Sequence, residues 1–161
     1  MTIRPATDAD WPAVWQLFRA VCAAGDSFAY DADTPEATAR KLWFDSPATP
    51  FIAEDAGTFL GTYYLRPNQP GRGSHVANGG YMVTEAARGR GLAEAMCRHS
   101  IETAKQLGYR AIQFNNVVST NTAVVRAWVK CGFAVVGTLP GAFRHADGRF
   151  VDVFVMWRTV G

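Results

Sequence analysis

The chain has 161 residues, of which 48% are hydrophobic and 19% are charged, and this composition is typical of one soluble globular domain over residues 1–161. Its formal net charge is only +2 and it has no lysine- or arginine-rich run, so no nucleic-acid partner is expected. No apolar run approaches the ~20 residues that span a bilayer, and the first residues lack a secretory signal pattern, so we expect a cytoplasmic protein without a membrane partner.

The first half of the chain predicts two helices followed by an antiparallel hairpin. Apolar residues recur at helical spacing over 11–23, and Gly25 ends this helix. The Thr-Pro-Glu sequence at 34–36 is typical of a second helix start, because it combines a capping residue, an early proline and an acid. The predicted elements are a strand at 3–4, helices at 11–23 and 35–44, and strands at 51–53, 58–65 and 75–83.

The second half predicts helices that alternate with strands. Gly79 and Gly80 interrupt the strand at 75–83, which we expect to bulge and to let a ligand approach its backbone. The remaining predicted elements are helices at 91–107 and 122–130 and strands at 111–117, 134–139 and 150–157. The order βααβββαβαββ predicts an α/β (α+β) fold, a mixed, mostly antiparallel seven-stranded sheet flanked by four helices. Its one parallel step lies where a helix joins the fourth strand to the fifth.

The segment between the fourth strand and the next helix carries the strongest chemical signal. Its sequence over 88–93 is Arg-Gly-Arg-Gly-Leu-Ala. Glycines at a helix start let backbone N–H groups approach an anion, and the helix dipole and the arginines add positive potential. A solvated loop with helix-capping glycines is the alternative, because so short a pattern is common. The segment is neither a P-loop nor a dinucleotide-binding fingerprint.

Residues 81–93 resemble the acetyl-CoA loop of the GCN5-related N-acetyltransferases (GNAT), in which a strand is followed by Arg-x-x-Gly-x-Ala. The resemblance continues upstream at residues 3–10 and downstream at Asn121, which is followed by Gly-Phe at 132–133. It covers nearly the whole chain in the expected order. It implies a sheet splayed between strands 4 and 5, acetyl-CoA as co-substrate, no metal, and direct attack of an amine on the thioester in a ternary complex.

The resemblance also assigns the contacts of the co-substrate. The backbone of residues 81–83 would pair with the pantetheine arm, and the N–H group of Met82 would hold the oxyanion that develops on the thioester. Residues 88–93 would bind the pyrophosphate, and Asn121 would anchor the cofactor. The implied cofactor-binding residues are Tyr81, Met82, Val83, Arg88, Gly89, Arg90, Gly91, Leu92, Ala93 and Asn121.

The helix after Asn121 departs from the family at Trp128. Seven residues after the asparagine the family usually carries a tyrosine, which is thought to protonate the leaving thiolate. An indole N–H group does not ionise usefully, so no general acid is identified, and we interpret Trp128 as a core residue. No general base is assigned either, because His75 begins a strand and Glu85 occupies a position typical of a surface or capping residue.

Asparagine is a poor strand former, yet the two central strands carry Asn78, Asn115 and Asn116. One explanation is structural, with satisfied amides that bridge the gap between the strands. Alternation directs Asn115 and Asn116 to opposite faces, and we assign Asn115 to the cleft. With Asn121, the pair Asn78 and Asn115 resembles yeast acetyltransferases that act on proline analogues such as azetidine-2-carboxylate. This resemblance implies that Asn78 binds the substrate and that Asn115 assists the reacting centre.

Three further residues are candidates for the wall of the acceptor pocket. In the family, the segment that holds Phe28 and Tyr30 forms one wall and the last hairpin, which holds Arg144, closes the other. Arg144 could meet a substrate carboxylate. Helix packing would explain the two aromatic residues equally well, and a solvated turn would explain the arginine.

These observations favour a small-molecule amine as partner, in the form of an amino acid, an imino acid or a related antimetabolite. Acetylation of a protein N-terminus or of an antibiotic is the alternative enzyme activity. A catalytically silent domain that senses acetyl-CoA is the alternative outside the enzymes, because the usual acid is missing. The resemblance also implies a homodimer formed through the last strands or the sheet edges.

Overall fold

The computed structural model describes all 161 residues, in seven strands and four α-helices. The strands are β1 (Thr2–Pro5), β2 (Thr49–Asp55), β3 (Thr58–Pro67), β4 (Val76–Val83), β5 (Ala111–Val118), β6 (Ala134–Arg144) and β7 (Phe150–Thr159). The helices are α1 (Trp11–Ala24), α2 (Glu36–Trp43), α3 (Leu92–Gln106) and α4 (Thr122–Lys130). The order is the predicted one, and the largest difference in length is at β6, which extends to Arg144 instead of residue 139. None of the helices has the length and apolar character that crossing a bilayer requires.

All strands belong to one sheet, in the order β1-β2-β3-β4-β5-β7-β6. Every neighbouring pair is antiparallel except β4 and β5, which run parallel and are joined by α3. This mixed, mostly antiparallel sheet confirms the predicted fold class. The outer strand β6 exposes Val135, Val136 and Leu139, and the homodimer expected at the last strands stays a prediction.

The sheet separates the two large hydrophobic cores. Helices α3 and α4 pack on one face, which we call the α3 face, and α1 and α2 pack on the other, which we call the α1 face. Strand β3 shows the alternation that divides them, since Tyr63 and Leu65 are buried in the core of the α3 face and Tyr64 in that of the α1 face. Side chains from one strand therefore serve two separate environments.

An ion-pair network fixes the start of the chain to the sheet. The Arg4 guanidinium donates to the Asp10 carboxylate at 2.8 Å and to the Glu54 carboxylate at 3.0 Å. Asp10 also accepts the backbone N–H of Thr7 at 2.7 Å, which stabilises the turn before α1. The hydrogen bond from Arg4 lowers the pKa of Asp10 to about 2.

Candidate active site

The candidate site lies where β4 and β5 separate. These strands pair only at Val76 with Ala111 and at Ala77 with Ile112, although both strands continue beyond these pairs. The splay predicted between the fourth and fifth strands is therefore present. We call the V-shaped gap between residues 78–83 and 113–118 the cleft; its narrow end adjoins the last pair and its wide end faces the starts of α3 and α4.

Asn78 stands at the narrow end and bridges the two strands. Its Nδ2 donates to the backbone carbonyl of Gln113 on β5 at 2.9 Å, and its Oδ1 accepts from the Tyr64 hydroxyl at 3.4 Å. The side-chain amide thus takes the place of the next ladder hydrogen bond, just where backbone pairing stops. The Asn78 side chain lies on the α1 face, so it lines the side of the cleft on which α1 and α2 pack.

The backbone of β4 has one edge paired and one edge free. Backbone hydrogen bonds from Asn68 to Val76 and from Thr84 to Leu60 show that even-numbered residues of β4 bond to β3. Because alternate residues of an antiparallel strand face the same neighbour, the N–H and C=O groups of Tyr81 and Val83 face the cleft. The N–H group of Met82 is directed at β3, which contradicts its predicted role as the oxyanion donor.

The segment after β4 presents unpaired backbone donors at the wide end. The consecutive N–H groups from Gly89 to Glu94 donate no hydrogen bond within the chain. Gly89 and Gly91 have positive φ angles of 71° and 75°, and no atom lies within 4 Å of where a Cβ would stand, so conformation and not space requires glycine. Arg88 and Arg90 are exposed beside them. This arrangement can hold a pyrophosphate at the positive end of the α3 dipole.

Asn121 and Trp128, two positions in or next to α4 that the family motif singles out, lie in different environments. Asn121 begins the helix at the wide end of the cleft, and its side chain makes no capping hydrogen bond, which leaves its amide free. Trp128 is buried, with its ring 4.7 Å from that of Tyr81 and 5.3 Å from that of Phe114. The interpretation of Trp128 as a core residue is confirmed.

A bulge in β5 changes the expected direction of its asparagines. Between Phe114 and Val117 the pairing with β7 shifts by one residue, so Asn115 and Asn116 together oppose Val155. Both asparagines are exposed, and strict alternation does not separate them as predicted. Asn115 still joins the α1 face, because its Oδ1 accepts from Gln113 at 2.9 Å and its Nδ2 donates to Asn68 at 2.7 Å.

An amide cluster therefore lies at the narrow end. It is composed of Asn68, Asn78, Gln113 and Asn115, linked by the hydrogen bonds just described. The structure brings the predicted residues Asn78 and Asn115 together through Gln113, whereas Asn121 lies apart at the wide end. None of these hydrogen bonds involves a carboxylate or an imidazole, so the cluster can orient polar groups but cannot exchange protons near neutral pH.

Aromatic rings form a wall beside this cluster. Phe28 stacks on Tyr30 with ring centroids 6.4 Å apart and lies 5.6 Å from Trp43, which packs edge-on against Tyr64 at 4.8 Å. The hydroxyl of Tyr64 then meets Asn78. Burial raises the pKa of Tyr64 to about 12 and also raises that of Tyr30, so both hydroxyls stay protonated at neutral pH. The two predicted wall residues are thus continuous with the amide cluster.

The aromatic wall, and not a bulge, explains Gly80 of β4. The register between β3 and β4 is unbroken across Gly79 and Gly80, so the predicted bulge is wrong. A Cβ on Gly80 would stand 2.6 Å from the ring of Tyr64 and 3.1 Å from that of Trp43. Glycine is required because two aromatic rings lie directly on the strand.

The last hairpin approaches the same region. Its turn contacts the end of α1, where the N–H group of Ala146 donates to the carbonyl of Gly25 at 2.8 Å. The hairpin therefore packs against the segment that leads to Phe28, as the pocket-wall hypothesis requires. Arg144 itself is exposed, and its predicted contact with a substrate stays a prediction.

The sequence interpretation missed Arg66 and Gln113. Arg66 lies on β3 directly opposite Asn78 in the register, and Gln113 links the two predicted asparagines. The alternation of Thr62, Tyr64 and Arg66 on one face of β3 is a signal that could have found the arginine. The two weak base candidates do not join the cluster: His75 precedes β4 beside Arg110, away from the opening, and Glu85 is exposed.

Comparison with known proteins agrees with this geometry. A sequence model described as the acetyltransferase (GNAT) family matches residues 11–133. N-acetyltransferase aca1 of Schizosaccharomyces pombe is 31% identical over 99 residues, which are 61% of this chain and 47% of that protein. The chain thus spans about half the length of that relative.

Solved structures extend the similarity over the whole chain. A GCN5-related N-acetyltransferase from Kribbella flavida is 45% identical, with a TM-score of 0.93 over 98% of this chain and 96% of that one. A phosphinothricin acetyltransferase from Sinorhizobium meliloti, solved with acetyl-CoA, has a TM-score of 0.89 at 19% identity over 99% of this chain and 88% of that one. At that identity the second likeness shows the fold.

Proposed function

This chain belongs to the GNAT acetyltransferase family, and we propose that it transfers the acetyl group of acetyl-CoA to the amine of a small amino or imino acid. The observation that carries the proposal is the cleft between β4 and β5. It offers unpaired backbone donors at one end and an amide cluster with an aromatic wall at the other. A thioester bound along it would meet an acceptor held at the narrow end.

Acetyl-CoA would use the backbone of the wide end. Its pyrophosphate would accept the N–H groups of residues 89–94, with Arg88 and Arg90 near it. Its pantetheine amides would pair with the free edge of Tyr81 and Val83, as an added strand does. The free amide of Asn121 would hold the arm from the α4 side.

The reaction would be a direct transfer. The neutral amine nitrogen forms a bond to the carbonyl carbon, the carbon–sulfur bond breaks, and CoA leaves as a thiolate. A backbone N–H on the free edge of β4, from Tyr81 or Val83, would stabilise the developing oxyanion. The proton lost by the amine passes to water or to the thiolate, because no side chain of the amide cluster can accept it.

The acceptor would be positioned by the narrow end. Asn78 would bind the substrate, Asn115 would orient the amine or a water beside it, and Phe28 and Tyr30 would enclose its apolar part. An acceptor site bounded by these aromatic rings would suit an amino or imino acid. Arg144 on the last hairpin remains the predicted contact for its carboxylate.

The test is release of the free thiol of CoA from acetyl-CoA in the presence of a panel of amines. The panel contains amino acids, imino acids including azetidine-2-carboxylate, an aminoglycoside and a peptide with a free N-terminus. Acceleration by the amino or imino acids, with the N-acetyl product found by mass spectrometry, would support the proposal. Calorimetric binding of CoA without acceleration by any amine would identify a sensor and overturn it.

A further inference from the structure

Arg66 occupies a distinctive position in the acceptor region. It lies on β3 directly opposite Asn78 on β4, and neighbouring strands are about 4.8 Å apart. Because Tyr64 and Arg66 are two residues apart on one strand, both side chains leave the sheet on the α1 face. The arginine therefore stands beside the residue that closes the narrow end of the cleft.

The positive charge of Arg66 has no acidic partner in the chain. Its guanidinium donates one hydrogen bond, from Nη1 to the carbonyl of Leu42 at 3.3 Å, and forms no ion pair. Two other half-buried arginines differ in this respect, because Arg4 and Arg40 each pair with two carboxylates. A guanidinium has five N–H donors in a planar fork, so most of those on Arg66 remain available.

The charge of Arg66 reaches the aromatic wall. Burial raises the pKa of Tyr30 and of Tyr64, and the positive charge of Arg66 opposes that rise at both hydroxyls. The guanidinium is partly desolvated there, which strengthens its attraction for an anion relative to an arginine in water. The acceptor region therefore contains a cation with which no carboxylate of the chain forms an ion pair.

We propose that Arg66 binds the carboxylate, or an equivalent anionic group, of the acceptor and thereby directs its amine toward the cleft. In an α-amino or imino acid the two groups are carried by the same carbon, so an anion held beside Asn78 brings the nitrogen to the narrow end. Arg66 is then a specificity-determining residue and takes no proton. The inference rests on the proposed function and deepens it, since it assigns to Arg66 the carboxylate-binding role that was predicted for Arg144.

A purely structural role predicts a different result. If Arg66 only ties Leu42 in the last turn of α2 to the sheet, its loss destabilises the aromatic wall and impairs every acceptor to the same degree. If it binds an anion, its loss impairs acceptors with a carboxylate and spares those without one. The discriminating quantity is the ratio of kcat/KM for an amino acid to kcat/KM for its carboxamide.

The experiment measures this ratio for the wild type, Arg66→Met, Arg66→Lys, Arg144→Met and, as a matched control, Arg110→Met. Arg110 is exposed and precedes β5, beyond the point where β4 and β5 are paired and outside the cleft. We expect the wild type to prefer the acid by about 10-fold to 100-fold, the range for hydrogen bonds to charged groups. Arg66→Met should abolish the preference, Arg66→Lys should retain part of it, and Arg110→Met should keep it in full.

Three outcomes overturn the inference. The first is equal kcat/KM for acids and carboxamides in the wild type. This outcome needs no variant, so it overturns the inference even if Arg66→Met does not fold. The second is an unchanged ratio of kcat/KM values in Arg66→Met. The third is loss of the preference for the acid in Arg144→Met alone. In each case the proposed acetyltransferase activity stands, whereas absence of any amine-dependent release of CoA overturns both.

Discussion

The two ends of the cleft are built in different ways. The wide end is made mainly of backbone, with free N–H groups at residues 89–94 and the unpaired edge of Tyr81 and Val83, and both come from one continuous segment. The narrow end is made of side chains from the loop before α2 and from three strands, including Phe28, Tyr64, Asn78 and Asn115. A backbone site changes only when conformation changes, whereas a side-chain site can change one residue at a time. The fold therefore preserves the proposed cofactor half and leaves the proposed acceptor half free to vary.

The largest effect is expected from Gly91→Val at the wide end. Valine at a φ of 75° must alter the backbone, which misdirects the N–H groups that would meet the pyrophosphate. Since hydrogen bonds to charged groups contribute about 1.5–3 kcal/mol each, the dissociation constant of CoA should rise about 100-fold, as measured by calorimetry.

Gly108→Val is the matched control for Gly91→Val. Gly108 follows the opposite end of α3, has a φ of 83°, and likewise has no atom within 4 Å of a Cβ. Both variants should lose similar stability, but only Gly91→Val should lose affinity for CoA. Equal affinity in the two proteins would contradict the assignment of the loop.

A smaller effect is expected from Asn115→Ala at the narrow end. The substitution removes the link between Gln113 and Asn68 and the amide proposed to orient the amine. We expect kcat/KM for the acceptor to fall about 10-fold to 30-fold, which corresponds to one or two hydrogen bonds, while CoA affinity stays unchanged. Asn116→Ala is the control in the same bulge, since both asparagines are exposed and Asn116 donates to no group in the cluster. Equal steady-state rates in the two variants would argue against a role for Asn115.

The contrast between the ends explains what the sequence could and could not predict. The element order, the parallel step and the glycine loop before α3 are local patterns, and the structure has all three. The bulge that displaces Asn115 and Asn116 depends on pairing with β7, a strand more than thirty residues away. Alternation along β5 alone therefore predicted the wrong relative directions for these two side chains. The edge to which Met82 belongs likewise depends on which residues of β3 it meets.

Gly80 illustrates the same limit from the opposite direction. A glycine inside a strand suggested a bulge, but the cause is the pair of rings, Trp43 and Tyr64, that lie on its Cα. One of those rings comes from α2 and the other from β3, so their contact depends on tertiary packing and is not visible in the local sequence. Arg66 is an intermediate case, because alternation along β3 puts it on the same face as Tyr64, but only the β3–β4 register puts it opposite Asn78.

A moderate effect on the acceptor half alone is expected from Gly80→Ala. The new methyl group would overlap the ring of Tyr64, and moving that ring disturbs its contact with Asn78. Overpacking of this kind costs about 1–3 kcal/mol of stability, and we expect the KM of the acceptor to rise several-fold without a change for acetyl-CoA. Gly137→Ala in β6 is the control, since a Cβ there meets only Val155 at 4.0 Å. A rise in the KM of acetyl-CoA as large as that of the acceptor would show that the two ends are not independent.

The smallest effect on either end is expected from Asp10→Asn, which alters the ion-pair network of β1 and should leave both kinetic constants within about 2-fold of the wild type. Its effect is on stability. The hydrogen bond from Arg4 holds the pKa of Asp10 at about 2, below the ordinary 3.8, so the ionised carboxylate stabilises the folded chain. That contribution, about 1–2 kcal/mol after allowance for solvent, is complete above about pH 5 and is lost as the pH falls through the folded-state pKa.

Urea unfolding at several pH values should therefore show a difference in the free energy of unfolding between wild type and variant that is constant near neutral pH and closes toward pH 2. A difference that persists undiminished at pH 2 would mean that the geometry of the turn, and not the charge of Asp10, is what the network contributes.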